Sequence, residues 1–171
     1  VNKTAKNASK PSKDNKPSPK KGEDQYRVAN QRGAARLAAV QALYQMDIGG
    51  TEIADILEQF ASREDGHEVD GEKYLPADVD FLRQIVSGVL KQQLIIDPLL
   101  NEKLSDDWHL SKIDSTLRAI LRAGAYELYF KRDIPAKVVI SEYLDVAKAF
   151  FEGEVPGMVN AVLDKISKDL S

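Results

Sequence analysis

Apolar residues in this chain recur at spacings of three and four, and no segment sustains the alternation that would build a half-buried strand. From Gln31 to Met46, Leu37, Val40 and Tyr44 lie on one stripe, and alanines at 35, 38, 39 and 42 would let a neighbouring helix approach closely. Gly49-Gly50 stops that helix, and Thr51 can cap a second one whose apolar face is Ile53, Ile56, Leu57 and Phe60. The stretch from Ser62 to Lys73, with five acidic residues and two glycines, reads as a surface loop. A third helix follows Pro76 and carries Val79, Leu82, Ile85, Val86 and Val89, while Asp97-Pro98 opens a short further segment through Leu104. The run from Ile113 to Phe130 forms a long central helix, broken by Asp133-Ile134-Pro135. Two more helices span 136–151 and 156–170, parted by Glu152, Gly153 and Glu154. The β-branched run Val138-Val139-Ile140 sits inside a helical pattern. The expectation is an all-α, single-domain helical bundle of two packed helical halves.

Charge divides the chain unevenly. Residues 1–36 hold seven lysines and three arginines against Asp14, Glu23 and Asp24, a net of +7, whereas the remainder carries a net of −10. Residues 1–24 are rich in Lys, Ser, Asn and Pro and lack any large apolar residue after Val1, so they cannot offset the entropy of ordering. The domain organisation expected is a disordered lysine-rich arm over 1–25 and a folded body over 26–171. Such an arm suits a polyanionic partner, or else it only keeps the chain soluble.

No window reaches 18 consecutive apolar residues, and the N-terminus has no apolar stretch of a signal peptide, so a cytoplasmic protein without membrane attachment is expected. The absence of cysteine excludes disulfides, thiolate metal sites and a cysteine nucleophile. Phosphate-binding glycine loops, H-E-x-x-H and G-x-S-x-G are all missing, and neither His67 nor His109 has a triad around it. The acidic loop from Glu64 to Glu72 lacks the ligand order of a calcium loop. Neither catalysis nor a metal or cofactor is expected.

Arg32 and Arg36, one helical turn apart, and Arg27 just before them would set three guanidiniums where the basic arm meets the body. The planar fork of arginine binds phosphate oxygens in pairs, although arginines at this spacing are also common on solvated surfaces.

Several blocks in order carry a resemblance that spans roughly residues 27–168: ARLAAVQALYQMDI at 35–48, LRAILRAGAYEL at 117–128, DIPAKVVISEYLDVAKAF at 133–150 and MVNAVLDKIS at 158–167. In these the chain resembles the NusB family of transcription antitermination factors. The resemblance implies an all-helical, non-catalytic protein that binds single-stranded boxA RNA together with the ribosomal protein NusE, as part of the transcription elongation complex in ribosomal RNA synthesis. It carries RNA contact to Arg32 and Arg36, with Gly33 and Ala34 standing where some relatives have further arginines, and Arg27 and the arm as compensation. At positions where relatives place aromatics near RNA the chain has Lys103 and Met158, the latter equally suited to core packing. For the protein partner the resemblance points to Tyr44, Leu117 and Arg118, and Tyr44 also fits a buried aromatic. Other readings are a helical protein-interaction adaptor without RNA binding, or a fragment of an RNA methyltransferase. The second is disfavoured, because the chain ends soon after its last helix and no room for a cofactor-binding domain is expected.

Overall fold

In a computed structural model the chain is described over residues 21–61, 68–69, 72–73 and 78–171, with side chains over 31–59 and 78–171. Six helices follow in order: α1 (Lys21–Gly49), α2 (Ile53–Ala61), α3 (Val79–Lys103), α4 (Ser115–Phe130), α5 (Ala136–Phe150) and α6 (Val155–Leu170). Between α2 and α3, β1 (Glu68–Val69) pairs antiparallel with β2 (Glu72–Lys73), a two-residue ribbon. The fold is all-α, as the periodicity requires. One half is built from α1, α2 and α3 and the other from α4, α5 and α6. Helix α4 joins them, since it packs on α1, α3, α5 and α6.

The first helix begins at Lys21, earlier than the start expected near Tyr26 or Gln31. Glu23, Gln25, Arg27 and Ala29 favour helix, and elongating a helix whose far end is already packed needs no new nucleus. The expected arm lies outside the described residues as far as position 20. At its other end α1 stops where Gly50 adopts φ 62°, the left-handed conformation that costs glycine nothing. Because α2 starts at Ile53, its cap position falls to Glu52 rather than Thr51.

A second difference lies in α3, which runs unbroken through Pro98 instead of restarting at Asp97-Pro98. An interior proline costs about 3 kcal/mol because it removes one ladder bond and crowds the carbonyl four residues back. Here that carbonyl belongs to Leu94, which is 92% exposed and so lies on the solvent face of α3. Asp97 is meanwhile clamped by Arg122 of α4 at 2.9 and 2.8 Å, which holds the helix in register across the proline.

The core is aliphatic. Ala35, Ala38, Ala39 and Ala42 are all buried and let α1 lie close to its neighbours, while Leu82, Ile85, Leu100, Ile120, Leu121, Leu163 and Ile166 are fully enclosed. Each such large side chain contributes about 1.5–3 kcal/mol over its exposed state. Helix α4 is started by Asp114, whose carboxylate accepts from the amides of Thr116 (2.8 Å) and Leu117 (3.2 Å). Among the described glycines the tightest approach to another helix is at Gly88 of α3, where a Cβ would stand 2.0 Å from Cζ of Tyr126 on α4.

Candidate nucleic-acid interface

Arg32 and Arg36 share a flank of α1, as their spacing dictates, but that flank does not face solvent evenly. The first turn of α3 docks against it: the amide of Asp78 donates to the carbonyl of Gln31 at 3.1 Å, and the Asp78 carboxylate caps the amide of Phe81 at 3.0 Å. This places the Phe81 ring within reach of both arginines, with each guanidinium carbon 5.0 Å from the ring centre. A third cation, Nζ of Lys131 at the end of α4, lies 5.6 Å from the same centre. Cations are drawn to the negative face of an aromatic ring, so the buried Phe81 fixes groups that would otherwise repel one another.

The two arginines then differ in kind. Arg32 is partly exposed, its buried Nε without a hydrogen-bond partner among the described residues. Arg36 is 2% exposed and bound to Glu127 of α4 through Nε at 2.9 and 3.2 Å and through a terminal nitrogen at 2.9 Å. The hydroxyl of the fully buried Tyr143 donates to the same carboxylate, and Glu142 stands 3.8 Å from Arg36. Burial works against the Arg36 charge, yet its bonds to Glu127 and the charges of Glu127, Tyr143 and Glu142 hold its pKa above the ordinary value. Burial also pushes the Tyr143 hydroxyl well above its usual value, with Glu127 acting in the same direction. Arg36 is thus far less accessible to a ligand than Arg32. Its guanidinium is spent on an interior ion pair, and it braces α1 against α4 beneath Arg32.

The remaining expected residues are scattered. Lys103 ends α3, about 30 Å along the helix axis from Phe81 at 1.5 Å per residue, so it does not join the Arg32 cluster. Its ammonium pairs with Asp169 of α6, which raises its pKa, and lies 3.7 Å from Glu102. Met158 is partly buried and packs on the core. The side chain of Arg27 lies outside the described residues. Of the partner-surface set, Leu117 is 2% exposed and belongs to the core. Arg118 is partly exposed, but its guanidinium is committed to Asp47 (2.9 and 2.8 Å), the carbonyl of Leu110 (2.9 Å) and Ser115 (3.2 Å). Tyr44 is partly exposed and lines a cleft of about 390 Å³ with Gln41, Gln45, Thr116 and Phe150. Phe81 and Lys131 escaped sequence reasoning, because Phe81 reads only as one more apolar residue and nothing local links Lys131 to a site 50 positions earlier.

No group of three or more metal-ligating side chains occurs among the described residues, and no described helix is long and apolar enough to cross a membrane. The family model described as "NusB family" matches residues 33–168, most of the chain. The chain belongs to the NusB family. It is 57% identical over 155 residues to the transcription antitermination protein NusB of Rhodopseudomonas palustris, which covers 91% of this chain and 89% of that protein. Among solved structures, T. maritima NusB superposes with a TM-score of 0.66 at 28% identity, covering 81% of this chain and 91% of the other. The same fold, at 22% identity and a TM-score of 0.66 over 81% and 97% of the chains, occurs in a crystal structure of the antitermination factors NusB and NusE in complex with dsRNA.

Proposed function

We propose that this NusB-family chain is a transcription antitermination factor that captures single-stranded boxA RNA, in company with the ribosomal protein NusE, on the transcription elongation complex in the cytoplasm. The observation that carries this reading is the group of cations on Phe81. Two of the three, Arg32 and Lys131, are partly exposed, and neither has an ion-pair partner among the described residues. Arg36, the third, is neutralised by Glu127 beneath them. A pair of cations held at one edge of an otherwise acidic body, where a lysine-rich segment leads in, suits the phosphates of an unpaired strand. Family membership and the antitermination role named for its relatives support the same reading.

The work done is binding alone: phosphate attraction and base contact, with no bond made or broken. Lys103 and Met158 stay secondary candidates for RNA contact, and Arg27 a primary one by its place on α1. Tyr44 and its cleft, with Arg118 at the edge, are the proposed seat of the protein partner.

Titration of a fluorescent boxA-like RNA into the chain, with and without NusE, tests this. Binding should tighten in the presence of NusE, weaken on Arg32→Ala, and return the RNA chemically unchanged. Absence of binding at low salt with both proteins present would overturn the reading.

A further inference from the structure

The groove between α3 and α4 holds a set of side chains that the Arg32 cluster does not use. It is a cleft of about 380 Å³ walled by Arg83, Gln84, Lys91, Gln92, Tyr126 and Phe130, with no carboxylate in its lining among the described residues. Tyr126 and Phe130 stack at 5.5 Å between ring centres and 24° between planes. Gly88 makes this stack possible, since any side chain there would occupy the place of the Tyr126 ring. Phe130 remains 41% exposed, so part of its ring is open to a ligand in the groove. Lys91 has no ion pair among the described residues, and Arg83 has only Asp80, 3.4 Å away on its own helix, with both side chains exposed. Gln84 accepts a hydrogen bond from Lys131, so the groove is continuous with the Phe81 cluster. Lys91 lies about 15 Å along α3 from Phe81, near enough for one strand to reach both.

We propose that the α3–α4 groove is a second RNA subsite, in which an unpaired base stacks on Phe130 while Lys91 and Arg83 hold the phosphates on either side of it. Charge favours a nucleic acid as the occupant: the lining is cationic and amide-bearing on a body whose net charge is strongly negative. The exposed ring supplies a surface that stacks any base, and the amides of Gln84 and Gln92 can meet a base edge. The subsite rests on the RNA-binding reading above and extends the path of the same strand beyond Arg32 and Lys131.

The test uses the full chain and a boxA-like RNA with several unpaired nucleotides on each side, followed by fluorescence anisotropy across a salt series. Phe130→Ala should weaken binding roughly 5- to 150-fold, the range of one lost base stack, and Phe130→Tyr should retain it. Arg83→Ala with Lys91→Ala should flatten the slope of log affinity against log salt by about 1.4, or 0.7 for each phosphate contact. Arg83 and Lys91 are exposed, so their replacement should leave thermal unfolding unchanged, whereas Phe130→Ala gives up the stack on Tyr126 and its affinity is read well below its own unfolding temperature. If Arg32→Ala weakens binding while all groove variants match the wild type, the subsite is wrong and the RNA-binding reading stands. If the wild type fails to bind, both fall. If Phe130→Ala loosens only the complex with NusE and leaves RNA affinity intact, the groove is a protein surface and the subsite is overturned.

Discussion

The guanidinium of Arg36 grips the carboxylate of Glu127, 91 positions further along the chain, through three hydrogen bonds in a setting where neither side chain is more than 3% exposed. A buried pair of this kind is strongly destabilising to break but seldom stabilising against an apolar substitute. Glu127→Ala should therefore cost about 3–5 kcal/mol in chemical unfolding, because it strands the Arg36 charge inside the protein. Arg36→Met combined with Glu127→Leu should recover only part of that loss, because the buried Tyr143 hydroxyl loses its acceptor, and should keep RNA affinity near the wild type. A double variant that folds but no longer binds RNA would return Arg36 to the contact surface.

Arg32 and Lys131 carry the exposed charge. Arg32→Ala together with Lys131→Ala should reduce the salt slope of RNA binding by about 1.4, with no change in the far-ultraviolet circular dichroism. Phe81→Leu should also weaken RNA binding while leaving most of the apolar burial in place, since the ring that gathers the cations is gone.

Gly88→Ala should destabilise the chain by about 1–3 kcal/mol in urea unfolding, because the new methyl group and the Tyr126 ring cannot share one space. Displacing Tyr126 also removes the support of Phe130. RNA affinity should fall with stability in this variant.

Glu142 gives a pH signature. Burial raises its pKa above the ordinary 4.5, opposed by Arg36 and reinforced by Asp145 and Glu127. A carboxyl whose folded value lies above its unfolded one contributes stability that is full below the unfolded value and is lost as pH rises through the folded one. Glu142→Gln keeps the neutral form at every pH. The stability of this variant relative to wild type should therefore grow as pH rises from about 4.5 and then level off. A difference independent of pH between about 4 and 7 would remove Glu142 from this role.

The helical class and the order of the helices were legible because local spacing and capping chemistry produce them. Leu82, Ile85, Val86 and Val89 fall on one face of α3 whatever surrounds it, and Gly50 ends α1 through its own backbone freedom. Pro98 misled because its cost is local while its compensation, the clamp from Arg122 on Asp97, comes from another helix.

From the sequence alone came an all-helical body, its segregated charge, its family motifs and a flank of α1 bearing Arg32 and Arg36. Which of those two arginines meets solvent was decided only when α4 brought Glu127 onto Arg36 and α3 brought Phe81 against both. Periodicity reports which face of a helix a residue occupies. Burial and ion pairing depend on which residues from distant parts of the chain pack against that face, and three-dimensional packing alone supplies them.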